Sequence, residues 1–63
     1  MTATERYQLA ALDAYNDIWR LSDLKPSDKR IAAFNAAFDA AKSSGASARE
    51  ATQAADFARD EAT

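Results

Sequence analysis

Cysteine and histidine are both absent from this chain of 63 residues. Their absence excludes disulfide bonds, thiolate chemistry and the usual ligands of zinc. Among the groups that remain, Asp13 and Asp17 lie one helical turn apart and are a candidate pair for acid–base catalysis. A chain this short has little material for the pocket that an active site needs, so we interpret the pair as part of a solvated helix face. We expect no enzyme, no cofactor and no metal site.

Valine is also absent, and glycine and proline occur once each. No segment alternates apolar and polar residues as a strand would, whereas apolar residues recur at helical spacing. The sequence predicts three helices, over residues 3–21, 28–44 and 48–60, within a single domain that covers residues 1–63. We expect an all-α fold, either a small three-helix up-down-up bundle or a helical hairpin plus a third helix, completed by self-association or by a partner.

Local signals mark the ends of these helices. Thr2 and Glu5 fit a capping box that starts the first helix, and Ser47 and Glu50 fit a second box that starts the third. Gly45 supplies the left-handed residue that commonly ends a helix, here the second one.

The second helix follows a break that contains Pro26. Because proline disfavours helical angles at the preceding Lys25, we expect Ser27 to cap this helix. The apolar stripe that we expect the second helix to bury consists of Ile31, Phe34, Phe38 and Ala41.

Large apolar side chains are concentrated in the first helix. Eight of the twelve large aliphatic and aromatic residues precede residue 25, whereas the third helix has Phe57 and otherwise alanine. The apolar arc of the first helix is wider than one neighbouring helix can cover. A chain of this size is also near the limit at which a single core suffices. We therefore expect a homodimer, or a chain that becomes fully stable when it binds another protein.

The surplus on the first helix predicts a binding patch, because tryptophan and tyrosine are enriched at interface hot spots. The partner-binding residues that we predict are Leu9, Leu12, Tyr15, Trp19 and Phe57. The alternative is that these side chains form the core under the other two helices.

The third helix carries alanines at heptad spacing. They are Ala48, Ala51, Ala55, Ala58 and Ala62. Small residues let helices approach closely, so this seam is a candidate for antiparallel self-association. Packing of the same alanines inside the chain is an equal alternative.

A DNA-binding alternative comes from Ala41, Gly45 and Ala51. Their spacing resembles a helix-turn-helix, in which the third helix would enter the major groove. The residues that would contact DNA are Lys42, Arg49, Thr52 and Gln53. That helix has net negative charge, whereas attraction to phosphate supplies most nonspecific affinity, so this interpretation ranks second.

The formal net charge is −2, and its acidic–basic–acidic order along the chain offers no continuous basic face for phosphate. No segment approaches the length of a membrane span, and the first residues do not form a signal peptide, so we expect a cytoplasmic protein. The predicted function is a non-enzymatic module that docks on a larger protein and modulates or inhibits it. Compact regulators and inhibitors carried by phages and plasmids are the analogy behind this expectation.

Overall fold

The computed structural model describes residues 1–62, which form the helices α1 (Ala3–Leu21), α2 (Pro26–Ser43) and α3 (Ala48–Glu61). The described residues are 82% helical, compact and without a strand, which confirms the predicted all-α three-helix fold. The bounds of α1 are those predicted, and α3 ends one residue later than expected.

The helices lie side by side along one axis. At 1.5 Å per residue α1 and α2 are each about 27–28 Å long, so both must follow the 33 Å axis of a molecule that measures 33 × 19 × 16 Å. The link between them covers residues 22–25, which is short enough to require antiparallel neighbours.

Helix α3 returns along α2 for its whole length. The Arg59 guanidinium lies 5.8 Å from the centre of the Phe34 ring, although both residues are far from the turn that joins α2 to α3. This contact requires an antiparallel hairpin, whereas the helices of a helix-turn-helix diverge at about 90–120°.

One end of the bundle holds the start of α1, the end of α2 and the start of α3, and we call it the capped end. Both predicted capping boxes are present there. The Glu5 amide donates to the Thr2 hydroxyl at 3.2 Å, and the Glu50 amide donates to the Ser47 hydroxyl at 3.1 Å. In return the Ser47 amide donates to the Glu50 carboxylate at 3.0 Å.

Gly45 completes the capped end with a φ of 107°, as predicted. The Gly45 amide donates to the Lys42 carbonyl at 3.0 Å, and the Ala46 amide donates to the Ala41 carbonyl at 3.1 Å. These two bonds are a Schellman motif, which occupies carbonyls that the end of α2 would otherwise leave unpaired.

The opposite end, which we call the open end, holds the end of α1, residues 22–25, the start of α2 and the end of α3. Here the prediction for α2 was wrong, because the helix begins at Pro26 and its N-cap is Lys25, which makes no side-chain cap hydrogen bond. Ser27 lies inside the first turn. Proline is tolerated at the first helical position because its missing N–H has no partner to lose there.

The interior is built mainly from alanine. The buried residues are Tyr7, Ala11 and Tyr15 of α1, Ala33, Ala37 and Ala41 of α2, Ala46, and Ala51, Ala54, Ala55 and Ala58 of α3. The expected core stripe of α2 is therefore corrected: Ala41 is buried, Phe34 and Phe38 are half-buried against the core, and Ile31 is exposed. Faces of alanine let the helices approach closely, which leaves the larger side chains at the edges of each contact.

Candidate functional site

The predicted partner-binding residues do not form one exposed patch. Tyr15 is fully buried, Leu12, Trp19 and Phe57 are half-buried, and Leu9 is half-exposed. Tyr15 is therefore part of the core and has no surface to offer a partner, because it continues the row of Tyr7 and Ala11 that faces the other helices. Leu9 is the one member of this set that has extensive exposed surface.

Trp19 is held in place by its neighbours. The Lys29 ammonium lies 5.3 Å from the centre of its indole, and the Tyr15 ring lies 6.4 Å away. The Trp19 Nε1 and the Tyr15 hydroxyl are both buried and have no hydrogen-bond partner among the described residues. A buried polar atom without a partner costs about 1–3 kcal/mol, so this half of α1 carries an internal penalty.

The alanine seam of α3 lies mostly inside the chain. Ala51, Ala55 and Ala58 are fully buried in the single chain, Ala62 packs partly against the core and Ala48 is exposed. The three buried alanines have no surface left for a second chain. These three alanines therefore pack inside the chain, which was the alternative to self-association.

Large apolar side chains are exposed at the open end instead. Leu21, Leu24 and Ile31 are 75%, 48% and 63% exposed. Prediction from the sequence missed this cluster because it assigned Ile31 to the buried stripe of α2. The signal that could have found it is the row of Ala33, Ala37 and Ala41, since burial of that row turns Ile31 away from the core.

A groove of about 290 Å³ runs between α2 and α3 beside this cluster. It is lined by Arg30, Ile31, Phe34, Asn35 and Arg59. The two apolar side chains form its walls, and both charged side chains are cationic. The volume of the groove is at the lower limit of the roughly 300–1,000 Å³ of sites that take drug-sized ligands, which is room for one or two side chains.

The two arginines of the groove differ in their partners. The Arg59 guanidinium, which lies over the Phe34 ring, pairs with the Asp56 carboxylate at 3.1 Å and approaches the Asp60 carboxylate at 3.9 Å. Within residues 1–62, Arg30 has no carboxylate within ion-pair distance. Arg30 is therefore the groove's unpaired charge.

The residues of the DNA-binding alternative lie on exposed surface. Lys42, Arg49, Thr52 and Gln53 are all exposed, and the Thr52 hydroxyl donates to the Ala48 carbonyl at 2.9 Å. Glu50 lies among them as an anion, because hydrogen bonds from the Ser47 backbone amide and then the Ser47 hydroxyl hold its pKa below the ordinary value of 4.5. The antiparallel hairpin of α2 and α3 also differs from the divergent helices that the motif uses.

The candidate acid–base pair is exposed. Asp13 and Asp17 are both at the surface, and the Asp17 carboxylate accepts from the Arg20 guanidinium at 2.6 Å. In the described part of the chain, no cluster of three or more acidic side chains is arranged to hold a metal ion. None of its helices is long and apolar enough to span a membrane.

Comparison with known proteins finds no relative of this chain. No protein-family model matches the sequence, and neither a curated protein nor a solved structure shows significant similarity to it.

Proposed function

We propose that this chain is a non-enzymatic binding module that docks on a larger protein through its open end and modulates that protein by occupying its surface. The observation that carries the proposal is the exposure of Leu21, Leu24 and Ile31 at one end of a small bundle. Large apolar side chains exposed at one end of a small domain favour a protein-interaction site there.

The setting of these residues supports a protein partner. Phe34 continues the apolar surface from Ile31 into the groove between α2 and α3, and Arg30 and Asn35 supply polar groups beside it. An apolar centre with a polar rim is the usual anatomy of a protein interface. Arginine is also among the residue types enriched at hot spots.

The DNA-binding alternative draws on a separate surface at the capped end. Lys42 and Arg49 are its two cations, and Glu50 lies in the same region. Since phosphate attraction supplies most nonspecific affinity for DNA, this face offers little of it. A gel shift with random DNA tests it directly: tight binding that falls steeply with salt and is lost in Arg49→Ala would replace the protein-binding proposal.

The protein-binding proposal is tested by capture from cells that naturally express the chain. The tagged full chain is compared with Ile31→Asp, which places a charge in the open end, and with Leu9→Asp as a matched control. Leu9 is 50% exposed and lies on α1, outside the cluster. We expect a stoichiometric protein partner that the chain and Leu9→Asp retain and that Ile31→Asp loses.

Circular dichroism of each variant checks that helicity is unchanged. If Leu9→Asp loses the partner and Ile31→Asp keeps it, the surface predicted from the sequence is the binding site and the open end is not. If both variants keep the same partner, neither surface carries the interaction.

A further inference from the structure

We propose that the groove between α2 and α3 takes Leu24 of a second copy of this chain, and that Asp23 of that copy pairs with Arg30. This self-association uses the same open end as the proposed docking on a larger protein, and the two can be tested separately. Two surfaces of one molecule, both at the open end, are complementary in apolar character and charge.

The groove requires an occupant with two properties. Its walls are the side chains of Ile31 and Phe34, so they accept an apolar side chain. Its unpaired charge is the Arg30 guanidinium, which is suited to bind a carboxylate through two parallel hydrogen bonds. Arg59 is already paired to Asp56 and needs no further partner.

Residues 23 and 24 have these properties. Leu24 is 48% exposed in the link between α1 and α2, and its amide donates to the Ser22 hydroxyl at 3.1 Å, which holds this link in shape. Asp23 is exposed and has no ion-pair partner among residues 1–62. An exposed leucine beside an unpaired carboxylate is the chemical complement of the groove.

The placement of these residues permits a closed pair. Leu24 lies two residues before α2 begins at Pro26, and Ile31 lies about 8 Å beyond Pro26 along the helix axis at 1.5 Å per residue. A two-fold axis between them would seat each Leu24 in the other copy's groove, since residue i contacts j and j contacts i in such a contact. The pair of Asp23 with Arg30 then forms twice.

The size of the contact predicts a weak dimer. The open end spans the 19 × 16 Å cross-section of the Cα trace, which is small beside the roughly 800 Å² per partner of a standard interface. Self-association therefore depends on chain concentration. It also covers Leu24 and Ile31, so a paired chain has no open end to offer a larger protein.

The test is sedimentation equilibrium of the full chain, with chain concentrations up to about 1 mM. We expect the average mass to rise above the 6.8 kDa of one chain as concentration increases. Asp23→Arg and Arg30→Asp each place like charges opposite one another at both symmetric positions, and we expect each to weaken association about tenfold. The double variant restores the attraction with reversed signs and should return association to within about threefold.

Two matched controls separate this contact from general effects. Arg49→Asp makes the same change of net charge as Arg30→Asp, but at the capped end, and should leave association unchanged. Leu24→Ser should abolish association, whereas Leu9→Ser, at a leucine of equal exposure, should not.

A single species of monomer mass at all concentrations would overturn the proposal, as would a double variant that fails to recover. Equal weakening by Arg49→Asp would assign the effect to net charge and overturn it as well. Each of these outcomes leaves the capture experiment with a larger protein unaffected, so the two proposals fail separately.

Discussion

The two ends of the bundle differ in how completely the chain satisfies its own groups. At the capped end, two capping boxes and a Schellman motif pair the backbone groups that helix ends leave free. At the open end, Lys25 caps α2 without a side-chain hydrogen bond, and large apolar side chains remain exposed. The buried polar atoms without partners, on Tyr15 and Trp19, also belong to the half of α1 that leads to the open end.

This difference shows where a small bundle of alanine-rich helices leaves the large apolar side chains that its core does not bury. Alanine faces let the three helices pack closely but hide little apolar surface each, so the larger side chains move to the edges. The capped end closes its helix termini with short polar residues and a glycine, and Met1 is the large apolar residue exposed there. The open end closes with leucine and isoleucine, and it is the end that another molecule can complete.

The largest expected effect comes from removing the hydroxyl of Tyr15, in the half of α1 that leads to the open end. Tyr15→Phe deletes a buried hydroxyl that lacks a partner, so we expect unfolding to cost about 1–3 kcal/mol more. Tyr7→Phe is the matched control, since the Tyr7 hydroxyl lies beside Gly45 at the capped end and is not among the unpartnered atoms. Thermal unfolding followed by circular dichroism measures both; each kcal/mol corresponds to about 4–8 °C in a domain of this size. A lower midpoint for Tyr15→Phe than for Tyr7→Phe would contradict the contrast.

The capped end was predictable from the sequence and the open end was not. Capping boxes and a turn glycine are local signals, read from residues three or four apart, and Thr2, Ser47 and Gly45 have the predicted roles. The buried face of α2 is a choice between two rows on one helix. Size favoured the row of Ile31 and Phe34, but close packing of alanine against alanine selected Ala33 and Ala37. Both rows are visible in the sequence, and contacts with the other two helices decide which of them is buried.

The candidate site was predictable from the sequence only in part. An apolar surplus was predictable from composition, because eight of twelve large residues precede residue 25. Its location depended on which helix faces meet, and the exposed cluster includes Ile31, which the expected α2 stripe had buried. Tyr15 and the three central alanines of α3 were candidates for contact with other molecules, and they lie inside the chain for the same reason.

The next prediction concerns two substitutions, one that removes a helix cap at the capped end and one that adds a helix cap at the open end. Ser47→Ala removes the cap of α3, and we expect it to lower the free energy of unfolding by about 1 kcal/mol. Lys25→Ser adds a cap to α2, whose N-cap backbone already has the extended angles φ −61° and ψ 153°, and should raise stability by roughly 0.5–1 kcal/mol. Urea unfolding of both variants gives the two values with their signs.

Ser27→Ala is the control for this exchange. Ser27 lies in the first turn of α2 and does not cap it, so its loss should change stability by less than about 0.5 kcal/mol. A loss as large as that of Ser47→Ala would mean that the serine predicted from the sequence stabilises the start of α2 after all. A destabilised Lys25→Ser would mean that the open end is limited by something other than its missing cap.

The smallest expected effect is the pH dependence of the capped end. Hydrogen bonds to Ser47 hold the pKa of Glu50 below the ordinary value of 4.5. Because the folded-state pKa is lowered, the stabilisation is fully present above 4.5 and is lost as pH falls through the lowered pKa. Glu50→Gln keeps an acceptor for the capping box but cannot titrate, so the stability difference between the chain and this variant should shrink as pH falls below 4.5.

Urea midpoints of the chain and of Glu50→Gln at successive pH values give this difference, and an NMR titration of the Glu50 carboxyl gives its pKa directly. A Glu50 pKa at or above 4.5, or a stability difference that does not change with pH, would mean that the capping box adds no pH dependence to the capped end. The contrast between the two ends would then rest on packing and backbone caps alone.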